Sequence, residues 1–403
     1  MEVFKLLLKK LGLYGLVVKL YDYAVLQLNT VKVILNIIFK HNPGNTFLFF
    51  PYYHTGGAEK VHLDIAHAIS SSKPWIFFTN PSSDNFLLSE FEKTGVTFDL
   101  SNYLKRNYTL GTLLKKSIIW KINRSPNSIS FGGNCLFYYS LIPQFNQNVH
   151  CIDLIHAFVH KGEDGAEYSS LPVAARLNKR ITINSKTKKD FKWLYSENGL
   201  PDTLNEKVFV IQNMVFVPQH FQPKPPLDQI NIAFVSRNSP EKRVHLVGRI
   251  AQKLSASCPC NFYLIGPDLI DGIEPENRLA CQFLGNISNE SELFNWYDKI
   301  HILILCSSRE GMPMVIMEAM AHSAVCISTN VGGISDHIQH EINGYLINSQ
   351  NEDEIITEFV QTITKIANDP ELFNQLSMAS YNYAKTHFIK EVFEQSWCKV
   401  LSK

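Results

Sequence analysis

A chain of 403 residues, 45 % apolar and 19 % charged, is long enough for two folded domains and too apolar for a disordered protein. Its 38 basic and 37 acidic side chains nearly cancel, which excludes the electrostatic footprint of a nucleic-acid-binding protein. Eight cysteines occur without zinc or redox spacing, Cys258-Pro259-Cys260 included. With no secretory leader legible, reduced thiols and a cytoplasmic location are expected.

Residues 1–45 carry six lysines (5, 9, 10, 19, 32 and 40) against Glu2 and Asp22. The apolar window between Lys10 and Lys19 is far short of the ~20 residues that span a bilayer. Two amphipathic helices are expected, near 2–19 and 21–40. They suit either peripheral contact of residues 1–42 with the inner face of an anionic membrane or a packing extension.

From residue 46 the pattern alternates strand and helix. A first strand at 46–51 leads through Gly56 and Gly57 to a helix with apolar positions Ala58, Val61, Ile65, Ala68 and Ile69, an amphipathic spacing. Further strands are expected near 75–79, 96–100, 128–131, 149–155 and 180–184. A proline-dense interval (Pro218, Pro223, Pro225, Pro226) marks a linker. A second series follows at 230–236, 261–265, 281–284, 301–306 and 325–329. Alternation of this kind predicts α/β architecture: two Rossmann-like, doubly wound domains facing a cleft, with an N-terminal amphipathic helical extension. The expected boundaries are an extension over 1–45, a first domain over 46–216, a linker at 217–229, a second domain over 230–385 and a final helix within 386–403.

The most informative segment is Ser307-Ser308-Arg309-Glu310-Gly311-Met312-Pro313-Met314-Val315-Ile316-Met317-Glu318-Ala319-Met320-Ala321. The apolar run 301–306 before it reads as a buried parallel strand, and Pro313 fits the first turn of a helix. Glu310 and Gly311 then fall in a strand-to-helix loop at the sheet edge where open α/β folds bind ligands. The free N–H groups of Met314 and Val315 would suit a diphosphate. Glu318, inside an apolar helix, needs strong partners such as ribose hydroxyls, or else a buried salt bridge. Arg237 and Lys242 follow the first strand of the second series and suit a diphosphate, or are solvated surface charges. Gly56-Gly57 lacks the dinucleotide and P-loop patterns. His156, at the end of a strand, is a candidate proton relay or hydroxyl partner, with His150 and His160 as competitors. No metal motif, including Asp-x-Asp, is legible.

Taken in order, Gly56-Gly57-Ala58-Glu59, Arg237 with Lys242, Glu310 to Ala321, Gly332-Gly333 and Asn343-Gly344-Tyr345-Leu346 resemble the retaining nucleotide-sugar glycosyltransferases of family 4, with the GT-B fold. The resemblance runs from about residue 46 to the last helix, and Glu310 with Glu318 looks like that family's paired-glutamate motif. It implies a metal-independent hexosyltransferase using a UDP- or GDP-linked sugar as donor substrate, with no further cofactor. The acceptor would be a glycan or lipid-linked saccharide in surface polysaccharide or glycolipid synthesis. It further implies donor contacts from Gly56, Gly57, Arg237, Lys242, Glu310, Gly311, Met312, Met314, Val315 and Glu318. Glu310, His156, Arg237 and Lys242 would be catalytic, and the final helix would cross back to the first domain. Asn213-Met214-Val215-Phe216, Ala157 and Asp336 depart from the family pattern. Alternatives are a relative with epimerase or sucrose synthase-like chemistry and a catalytically silent sugar-binding scaffold.

Overall fold

The computed structural model describes residues 14–104, 110–158 and 165–402. The expected helical segment before residue 14, and His160, lie outside the described residues. Helix α1 (Tyr14–Phe39) is one continuous element of 26 residues, not two helices meeting near residue 20. No proline or glycine stands at that point, so nothing breaks the hydrogen-bond ladder.

After α1 come β1 (Thr46–Phe50), α2 (Gly57–Ala68), β2 (Trp75–Phe78), α3 (Leu88–Thr94), β3 (Val96–Asp99), α4 (Gly111–Arg124) and β4 (Ile129–Gly133). Then follow α5 (Leu136–Tyr139), β5 (His150–Ile155), α6 (Ala166–Ser169), β6 (Lys179–Thr182), α7 (Ser185–Glu197) and β7 (Val208–Val210). These strands form a seven-stranded sheet in the order β3-β2-β1-β4-β5-β6-β7, parallel at β1/β2, β1/β4, β2/β3 and β4/β5. Both faces are covered, which is why β1 and β2 read as unbroken apolar runs. In-register neighbours stack their rings, Phe49 on Phe77 at 5.0 Å and Phe77 on Phe98 at 5.5 Å, as cross-strand aromatic pairs do.

The second sheet is built from β8 (Ile230–Val235), α8 (Val244–Ser255), β9 (Cys260–Ile265), β10 (Gln282–Gly285), α9 (Glu290–Lys299), β11 (Ile302–Leu305), α10 (Met314–Ala321), β12 (Val325–Thr329) and β13 (Gly344–Ile347). Helices α11 (Glu352–Ala367), α12 (Pro370–His387) and α13 (Lys390–Leu401) complete the chain. Its order is β10-β9-β8-β11-β12-β13 and all five pairings are parallel. Two parallel, helix-covered sheets are the GT-B arrangement. Strands β7 and β13 were absent from the sequence reading. β7 has only three residues, too few for a periodic signal, and β13 has four.

By compactness the described residues fall into two units. One holds those up to Ile155, those from 165 to Ile181, and Trp397 onward; the other holds His156–Phe158 and Thr182–Ser396. Within the first, Trp397 packs edge-on against Phe131.

Candidate active site

In the second sheet the chain works outward from β8 to β9 and β10 on one side, and through β11 to β13 on the other. The loops leaving β8 and β11 therefore start side by side at the carboxyl edge and diverge, which is the topological switch point of an open α/β sheet. They are stitched together there. Ser308 N–H donates to the Glu241 carbonyl at 2.8 Å. The Arg243 guanidinium donates to the carbonyls of Cys306 (2.6 Å) and Ser307 (3.0 Å). Arg243 itself takes φ 49°, a left-handed conformation uncommon away from glycine. Its two bonds hold the end of β11 and so aim the segment that follows.

That segment delivers Glu310. One of its oxygens, Oε1, accepts from Lys242 Nζ at 2.6 Å and from Ser307 Oγ at 2.6 Å. Both partners of the ion pair are largely withdrawn from water, with 16 % and 9 % of their side chains exposed. Such a pair is tolerated because its geometry is close and hydrogen-bonded. The turn after β12 backs it: a Cβ on Gly332, at φ 63°, would stand 1.9 Å from the Glu310 carbonyl oxygen. Only glycine meets both demands. Gly333 N–H then bonds the Gly311 carbonyl at 2.7 Å. On its other side, a Cβ on Gly311 would meet the His156 carbonyl oxygen at 2.9 Å. His156 thus stands beside this loop, and burial pushes its imidazole down to about 4, leaving it neutral at pH 7.

Helix α10 starts at Met314, with Pro313 outside it at the cap position (φ −72°, ψ 126°) rather than in the first turn. The first hydrogen bond inward is Ile316 N–H to the Pro313 carbonyl, so the N–H groups of Met314 and Val315 precede the ladder. Met312 is buried. One turn further, Glu318 is 8 % exposed, and the fully buried Tyr297 donates its phenol to Oε2 at 2.9 Å. Burial, and then the carboxylate, raise the Tyr297 pKa well above its ordinary value, so it stays a donor. Asn213 is buried and its amide lies 3.8 Å from the Met314 sulfur.

Lys242, Glu310, Gly311 and the start of α10 therefore come together, with Glu318 on the same short helix. Arg237 does not join them: 71 % of its side chain is exposed and it pairs with Glu241 at 3.1 Å. Gly56 and Gly57 belong to the other compact unit, at the β1–α2 turn. Sequence reasoning missed Ser307, Arg243 and Tyr297 as partners. Only Arg243 carried a signal, as a third cation beside Lys242. Among the described residues no three His, Cys, Asp or Glu side chains are grouped to hold a metal ion.

Residues 229–369 match the family model described as glycosyl transferases group 1. An uncharacterized glycosyltransferase of Haemophilus influenzae is 23 % identical over 363 residues, covering 86 % of this chain and 96 % of that one. The N-acetyl-alpha-D-glucosaminyl L-malate synthase of Bacillus anthracis is 34 % identical over 113 residues, but over only 26 % of this chain and 28 % of its own length. Among solved structures, Anabaena HepE in complex with UDP superimposes with a TM-score of 0.69 at 16 % identity, covering 89 % of this chain and 99 % of that one. TarM superimposes with a TM-score of 0.65 at 13 % identity, covering 89 % and 99 %.

Proposed function

For this chain, a group 1 glycosyltransferase of the GT-B type, we propose that it moves a hexose-type sugar from a nucleoside diphosphate donor to a glycan or lipid-linked saccharide, with retention of anomeric configuration and without a metal. The observation that carries this is the Lys242–Glu310 pair at the β8/β11 switch point, on the loop that leads into α10 with its free N–H groups. A cation, a carboxylate and a helix N-terminus at one sheet edge suit a diphosphate carrying a polyhydroxylated sugar.

In this reading the resting pair opens when donor enters. Lys242 turns from Glu310 to the diphosphate, and the N–H groups of Met314 and Val315 add to it. Glu310 then accepts from hydroxyls of the transferred sugar, and Glu318, held by Tyr297, from the nucleotide ribose. The bond from the anomeric carbon to the phosphate oxygen breaks and its electron pair stays on the phosphate. The acceptor oxygen bonds to the same face of the carbon, and its proton passes to the departing phosphate. Lys242 stabilises the charge that grows there. Arg237 reaches the diphosphate only by leaving Glu241. Neutral His156 serves as a hydroxyl partner near the sugar, and Gly56 and Gly57 contact the donor. Uridine is the first base to try, because HepE carries UDP, with guanosine beside it. Residues 217–229 serve as the linker between two folding halves.

The test is a panel of UDP- and GDP-linked sugars, scored for nucleotide release with and without a lipid extract. One donor responding only with extract supports the reading and identifies the acceptor class. Turnover of the donor with no acceptor at all would instead support epimerase-type chemistry, and no release from any donor a silent scaffold.

A further inference from the structure

Helix α1 is, by length and composition, apolar enough to cross a membrane. Its packing says otherwise. The C-terminal half lies along α4, burying Thr30 and Ile37. Lys121 Nζ ties its end down through the carbonyls of Ile38 (3.3 Å) and Lys40 (3.2 Å). Residues 15–24 are instead exposed, with Leu16, Val17, Val18, Leu20 and Tyr21 among them. A stretch of that length reaches roughly 15 Å, about half the ~30 Å of a hydrocarbon core. Among the described residues, the half not packed on α4 is too short to span by itself.

Helix α4 extends the same surface. Leu113, Lys116, Trp120 and Arg124 recur at spacings of three and four, and all four are exposed, so they share one face. The Arg124 guanidinium lies over the Trp120 ring at 5.0 Å. The two helices together carry six cations (Lys19, Lys32, Lys115, Lys116, Lys121, Arg124) against one acid, Asp22. Beside α1 a cavity of 520 Å³, lined by Lys19, Asp22, Tyr23, Asn29, Asn102 and Tyr103, offers polar partners to headgroups. Exposed leucine, tyrosine and tryptophan with flanking lysine and arginine is the composition of a surface that lies in a bilayer interface.

We infer that the exposed half of α1 and the outer stripe of α4 form one docking surface for an anionic bilayer, lying in its interface and not crossing it. This deepens the lipid-linked acceptor reading, and the two can fail separately, because vesicle binding is read without any sugar transfer. The experiment floats the full chain with phosphatidylcholine vesicles, with and without phosphatidylglycerol. Binding to the anionic vesicles is expected, weakening as salt rises. Leu16→Asp with Leu20→Asp, and separately Leu113→Glu with Trp120→Glu, should each lower the bound fraction about tenfold. Thermal melting and nucleoside diphosphate binding should not change. Lys116→Gln with Arg124→Gln should weaken binding to anionic vesicles alone. Absence of binding, or binding untouched by all three variants, overturns the inference. So does resistance to alkaline extraction from vesicles, which would mark a spanning helix. A dimer in solution that the same variants dissolve, with no vesicle binding, would assign the surface to a second copy.

Discussion

At the switch point of the second sheet, between β8 and β11, Lys242 and Ser307 converge on one oxygen of Glu310, each at 2.6 Å. At the matching point of the first sheet, between β1 and β4, the loop after β1 spends its polar groups on close neighbours. Thr55 N–H bonds Asp84 at 3.2 Å, and His54 lies 3.8 Å from Glu59. One edge concentrates opposite charges where a ligand can separate them, whereas the other presents a glycine turn. A diphosphate demands cations, and cations can be read in a sequence. A glycine turn lets a ligand approach the backbone closely but carries no charge to mark it in a sequence.

The contrast can be broken at several places. Glu310→Gln should cut transfer by about 10²–10³-fold, the range for a group acting on the transition state, while nucleotide binding persists. Unchanged transfer, measured with the responding donor, would remove Glu310 from the chemistry. The glycines give the next largest difference. Gly332→Ala places a Cβ 1.9 Å from a backbone oxygen at φ 63°; strain at such a φ alone costs about 1–3 kcal/mol. Gly56→Ala is at extended φ and meets the end of the Glu59 side chain, which can swing away, so a change within about 1 kcal/mol is expected. Equal losses in urea denaturation would erase the distinction between the two edges.

Tyr297→Phe removes a buried donor from Glu318, at a cost of about 1–3 kcal/mol. Donor KM should rise more than kcat falls, because the residue acts through another carboxylate; a fall confined to kcat would contradict that. A further effect is graded with pH. Burial holds His156 and His337 down to about 4 in the folded chain, against 6.5 unfolded. Between those values the unfolded state binds more protons, so stability is intact above 6.5 and is lost as pH falls toward 4. Both histidines belong to the second unit. Hydrogen exchange, corrected for its own pH dependence, should loosen there first.

Most of the alternating architecture was legible because buried parallel strands such as 302–305 are unbroken apolar runs. Glu310 and Lys242 were legible for a related reason: ionised side chains beside such strands are conspicuous. Their pairing was not, since residues 68 positions apart meet only through the order of β8 and β11. That Arg237 pairs with Glu241 was not legible, because a side-chain type does not reveal which way a loop turns. Ser307 and Tyr297 are ordinary residues until a carboxylate lies within reach. The division of α1 into a packed half and an exposed half depends on α4, nearly a hundred residues later, which no local pattern contains.

The central claim, that the β8/β11 edge holds a nucleoside diphosphate through Lys242, is tested most directly by calorimetric titration of UDP and GDP. The samples are the unmodified protein, Lys242→Met and Glu310→Gln. One nucleotide should bind the unmodified protein, and Lys242→Met should weaken it by about tenfold or more, as loss of a charged hydrogen bond does. Glu310→Gln, which frees Lys242 from its resting partner, should bind equally or more tightly. Identical affinities for all three proteins, or weakening by Glu310→Gln alone, would contradict the account.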